Sequence, residues 1–149
     1  MKAHRSSVQF IGIAMALLLG TFAGASLAKS ELKGAAILDH ACGKVAVKQM
    51  GLVHEGKMDE ANKLSTKEMQ EQWKAMPAKD RTMMSGMMKE TSQTSDQYAA
   101  AIKANGVLVV DGANAVLTVK KTTKDKNGSS TETMTQKFKI DGAQCMISR

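Results

Sequence analysis

Between Asp39 and Gly56 the apolar residues Cys42, Val45, Val47, Met50, Leu52 and Val53 fall on an approximate helical stripe, and Gly56 supplies a stop. "KMDEANKL" (57–64) predicts a short second helix. "STKEMQEQWKAM" (65–76) predicts a third, with Ser65 or Thr66 as cap and Glu68 within capping-box reach. Pro77 ends that helix or opens the next, because proline is tolerated in a first turn. "AKDRTMMSGMMKETS" (78–92) continues helical, and "SDQYAAAIKANG" (95–106) predicts a last helix that starts at Ser95 or Asp96 and closes at Asn105-Gly106. Beyond Asn105 the period changes. "VLVV", "AVLTVKKTTK", "ETMTQKFKI" and "AQCMIS" read as strands, separated by Asp111-Gly112, Asn127-Gly128 and Asp141-Gly142, pairs that favour tight hairpins. Ala115, Leu117, Val119, Met134, Phe138 and Ile140 share one face, while Thr118, Lys120, Thr122, Thr133, Thr135, Lys137 and Lys139 share the other. The expected fold class is α+β: N-terminal helices packed on a curved antiparallel sheet of about four strands.

Ahead of this block, "MKAHRSSVQFIGIAMALLLGTFAGASLAKS" has the layout of a secretory signal. Lys2 and Arg5 form a positive start, Phe10 to Leu19 an apolar run, and Ser26-Leu27-Ala28 a small-residue cleavage site. The apolar run is shorter than the ~20 residues a membrane span needs, so no anchor is expected. Cys42 lies well past it and lacks the small-residue context of a lipidation site. Residues 1–28 are therefore expected to be a cleaved leader and 29–149 a single periplasmic domain. Losing Lys2 and Arg5 lowers the net charge from +7 by two, to +5, a moderately basic balance. Aromatic residues are 3% of the chain, too few for base-stacking platforms, so a nucleic-acid partner is not expected. Cys42 and Cys145 stand at opposite ends of the mature domain. In an oxidising compartment a structural bridge is expected, with two separate thiols as the alternative.

The titratable residues offer little chemistry. His40 and His54 on one helix would lie about 21 Å apart along its axis, too far to share a metal ion. His40 and Cys42 could chelate only from extended chain. Glu68, Glu71, Asp80 and Glu90 sit among lysines, as a solvated charged face does. The methionines are more distinctive. On a helix Met83, Met84, Met87 and Met88 form one broad stripe, which Met76 would extend if the helix ran through Pro77. Thioethers fill irregular core gaps and make adaptable protein-binding surfaces, and they also favour Cu(I). The core-or-interface reading is preferred and the copper reading is its alternative.

Gly56-Lys57-Met58-Asp59-Glu60-Ala61 after the first helix, and Asp141-Gly142-Ala143-Gln144-Cys145-Met146-Ile147 at the last hairpin, resemble the NTF2-like superfamily. The likeness is closest to its small exported lumazine-binding-like members, although Cys145 and Met146 stand where those proteins usually have tryptophan. The order of elements extends the resemblance over nearly all of the mature chain. It implies a cone in which helices close one side of a bent sheet around a pocket. Family enzymes place Asp, His or Tyr in that cone, whereas the inward strand positions here are Ala, Leu, Val, Met, Phe and Ile. No enzyme activity and no cofactor are expected. The expected function is a non-catalytic binding module that captures a protein partner with an acidic surface. It would present either Met83, Met84, Met87 and Met88 or the sheet lysines Lys120, Lys137 and Lys139; an immunity protein neutralising a toxin is one specific form. Two alternatives remain. One is a carrier of a small apolar ligand, with Trp73, Tyr98 and Phe138 lining the pocket; the other is a methionine-rich Cu(I)-binding protein.

Overall fold

The computed structural model describes residues 29–125 and 128–149, apart from the side chains of 122–128. The leader expected over 1–28, the turn residue Asn127 and the side chain of Thr122 fall outside that description. Strand β1 (Ser30–Lys33) precedes six helices: α1 (Ala35–Asp39), α2 (Ala41–His54), α3 (Met58–Asn62), α4 (Lys67–Ala75), α5 (Ala78–Thr91) and α6 (Ser95–Asn105). Strands β2 (Gly106–Asp111), β3 (Asn114–Asp125), β4 (Gly128–Asp141) and β5 (Gln144–Ser148) follow. All pair antiparallel in the order β1-β2-β3-β4-β5. The α+β reading therefore holds with five strands instead of about four. The additional strand is β1, whose Ser30 to Lys33 pair with Val110 to Val107. Four residues, three of them exposed, are too few for alternation to register.

Local chemistry explains the element ends. The ladders close at Asp111 opposite Asn114 and at Asp141 opposite Gln144, leaving Gly112-Ala113 and Gly142-Ala143 as two-residue loops. Gly112 and Gly142 take φ of 57° and 56°, and among the described residues only glycines have positive φ. The aspartates thus finish strands, and glycine alone supplies the left-handed position. Helix α6 starts at Ser95, one of the two expected positions, and Thr94 caps it: Thr94 accepts from the Gln97 N–H, and the Gln97 side chain accepts from the Thr94 N–H. Thr66 precedes α4 without a side-chain cap bond, so the box expected with Glu68 does not form. Pro77 separates α4 from α5, and no continuous helix carries Met76 into the later methionines.

The core lies on one face of the sheet. Leu108, Ala115, Leu117, Val119, Phe138, Cys145 and Ile147 interleave with Ile37, Cys42, Ala46, Tyr98 and Ile102 from the helices. Helix α2 packs on β5, α6 on β2 and β3, and α1 on β1 and β2. One inward position breaks the apolar expectation. Gln136, two residues before Phe138, donates its amide to Gln49 on α2, which satisfies a polar group that burial would otherwise penalise. Tyr98, 2% exposed, has its phenol pushed up to about 12 because burial disfavours the phenolate. The unfolded phenol ionises near pH 10, so this contribution to stability is complete below pH 10. It falls as pH rises toward 12, by roughly tenfold in the folding constant per pH unit. Absorbance at 295 nm is expected to show no phenolate at pH 10.5 while far-ultraviolet circular dichroism stays native. Phenolate appearing near pH 10 in the folded protein would contradict the burial.

Cys42 in the first turn of α2 is bonded to Cys145 on β5 across a sequence separation of 103, so the bridge expected from the sequence is present. A second tie covers the outer edge of β5. The Thr66 N–H donates to the Ile147 carbonyl at 2.8 Å, and the Ile147 N–H donates to the Leu64 carbonyl at 3.0 Å. Among the described residues no helix is long and apolar enough to cross a membrane. The disulfide is consistent with a secreted protein.

Candidate functional site

Helices α3, α4 and α5 form an outer tier. Helix α3 rests on α2, α4 on α3, and α5 on α2. Neither α4 nor α5 contains a buried residue. Between this tier and α2 lies a groove of about 210 Å³ with a largely apolar wall. Met58 comes from α3, Met69 and Trp73 from α4, Met76 from the residue that closes α4, and Met84 and Met88 from α5. Gln49, Asn62, Ser65 and Gln72 add polar, uncharged groups, and Arg149 is the charged residue on the wall.

The groove divides the methionine run. Met84 and Met88, one turn apart, face it and are 39% and 38% exposed. Met83 and Met87 sit one position round the helix, outside the groove wall, at 62% and 63% exposed. Among the described residues these four are the exposed large hydrophobic side chains, and all of them lie on α5.

Trp73 is the only tryptophan in the chain. Its indole N–H donates to Asp59 Oδ1 at 2.7 Å, which ties α4 to α3 and fixes the ring. The same ring borders a second, more polar recess with Gly56, Asp59, Arg81, Thr82 and Ser85. At the α2–α3 corner, Gly56 takes φ of 76° and the Lys89 side chain of α5 lies beside it. The flanking Glu55 and Lys57 pair at 2.7 Å; the shared contact lowers the Glu55 pKa and raises that of Lys57. Both side chains are more than half exposed, so this pair adds little to stability.

Comparison of the chain with family models, curated proteins and solved structures gives no match. These comparisons therefore do not test the NTF2-like resemblance expected from the sequence.

The structure does not assemble the expected ligand-lining set. Trp73 borders the groove, but Tyr98 and Phe138, at 2% and 1% exposed, are packed in the core. Lys120, Lys137 and Lys139 are exposed on the sheet face away from the helices, since they alternate with the core residues Val119 and Phe138. The methionine and lysine sets therefore address opposite sides of the molecule. His40 caps α2 by accepting the Cys42 N–H at Nδ1, 3.2 Å away. With Cys42 in the disulfide, no His40–Cys42 thiolate pair exists to hold a metal. Met58, Met69 and Met76 were not singled out from sequence as groove residues, yet one signal was available. Met69, Trp73 and Met76 are spaced i, i+4 and i+7, the signature of one helix face.

Proposed function

We propose that the protein is a non-catalytic periplasmic binding module whose methionine-walled groove receives an apolar segment of a partner protein, flanked by acidic residues. The observation that carries this reading is the convergence of five methionines and Trp73 on one open groove, beside the exposed large hydrophobic side chains of α5. Unbranched thioethers repack around differently shaped side chains at low cost, and a rigid tryptophan supplies an anchor. Neither group transfers protons, which suits binding without chemistry. The net charge of +5 expected after leader removal, from +7 less two, speeds encounter with an acidic partner. Arg149 on the wall supplies a local mate for a carboxylate next to the apolar segment. Neutralising an exported toxin is one use such a module would serve.

The test uses Trp73 emission as the reporter. An amphipathic helical peptide with a Leu/Phe face and glutamates at its ends is expected to shift that emission to the blue in a saturable way. The same peptide with terminal lysines is expected to bind more weakly. Met84→Lys with Met88→Lys places two charges in the groove and should weaken binding by about a hundredfold or more. Circular dichroism should stay unchanged, because α5 buries no residue. Equal titrations for wild type and this double variant would end the proposal.

A further inference from the structure

We infer that the same groove is a site for a soft, monovalent d10 cation, Cu(I) or Ag(I), held by Met84 and Met88 together with thioethers of α3 and α4. This goes beyond the peptide-binding reading and does not depend on it. Met58, Met69, Met76, Met84 and Met88 bring five neutral sulfur donors from three helices and one helix end to a single groove of about 210 Å³. That donor set selects its ion by softness. Ca²⁺ and Mg²⁺ require several oxygen ligands, usually including carboxylates, and among the described residues no carboxylate side chain lines this groove. Thioethers favour Cu(I), and the chemically similar Ag(I) shares that preference.

Trp73 strengthens the assignment. Its ring borders the groove, within reach of a cation–π contact with an ion held there. The indole N–H is donated to the Asp59 carboxylate at 2.7 Å, a charge-assisted bond that pushes electron density back into the ring. Arg149, the opposing charge on the wall, is exposed, and water screens it. The more exposed Met83 and Met87 lie off the groove and take no part.

The experiment titrates the mature, disulfide-bonded chain with silver nitrate in chloride-free buffer, and anaerobically with Cu(I) against bicinchoninate. The expected result is one metal per chain in native mass spectra, quenching of Trp73 emission, and shifts of the groove methionine methyl signals but not those of Met83 and Met87. Met84→Leu with Met88→Leu should lower the affinity by at least about tenfold. Met83→Leu with Met87→Leu should leave it unchanged. Absence of a one-to-one complex, undiminished affinity in the first double variant, or equal losses in both overturns the inference. Leucine keeps the groove apolar, so peptide binding that survives in the first double variant separates the two readings: loss of metal alone bears on this site, and loss of peptide alone bears on the module.

Discussion

Replacing both Cys42 and Cys145 by alanine is expected to cost the fold about 4–5 kcal/mol. A bridge closing a loop of 103 residues removes that much chain entropy from the unfolded state in the loop-closure account. Total stabilities of small domains are about 5–15 kcal/mol, so the variant should be marginal. Among the described residues, other ties between the helical layer and β5 include the packing of α2 and the two backbone bonds around Ile147. The β4 ladder sets the register of β5, but none of these contacts restricts the unfolded chain. Urea unfolding followed by Trp73 emission and by circular dichroism would measure the loss. The variant should also show a steeper denaturant dependence, because its unfolded state exposes more surface. A loss below about 1 kcal/mol would show that the bridge is incidental. The bonded sulfurs lie in residues 0% and 6% exposed, which makes the double variant a cleaner comparison than reductant.

Phe138→Ala is expected to cost about 3–5 kcal/mol, and the result bears directly on function. Phe138 is 1% exposed, with Ala115 and Ile147 as its cross-strand neighbours and Tyr98 and Ile102 in the same cluster. The small side chain at Ala115 leaves the room that the ring fills. Removing the ring leaves a cavity that a disulfide-stapled layer cannot readily collapse. If Phe138 instead bordered a ligand pocket, its truncation would cost little stability and alter ligand capture. The same urea measurement decides between the two, and Phe138→Leu should recover most of the loss.

Much of the fold was legible because its signals are local. The glycine-bearing turns at Asp111-Gly112 and Asp141-Gly142, the alternation through Ala115, Leu117 and Val119, and the change of period at Asn105 each sit in a short window. With two cysteines in the chain, one intramolecular pairing exists to be expected. What escaped depends on contacts distant in sequence. Ser30 to Lys33 become a strand only through β2, and Gln136 is acceptable inside only because Gln49 meets it. The groove is the clearest case. Met83, Met84, Met87 and Met88 were visible as one stripe, but only the arrangement of α2, α3 and α4 decides which pair faces inward. Met58 joins that pair from α3, and Met69 and Met76 join it from α4 and the residue that closes α4, all three on the other side of Pro77.

The position of β1 has a consequence for the order in which this chain folds. Ser30 pairs with Val110, on the far side of all six helices in sequence. A chain delivered amino end first would expose β1 long before β2 arrives, and Cys42 would wait for Cys145 near the other end. The helical block can form early from local contacts, whereas sheet closure and the covalent staple must come last. During that interval β1 and Cys42 stand unpartnered, and the short length and exposed polar side chains of Ser30–Lys33 limit what a stray strand could do with them.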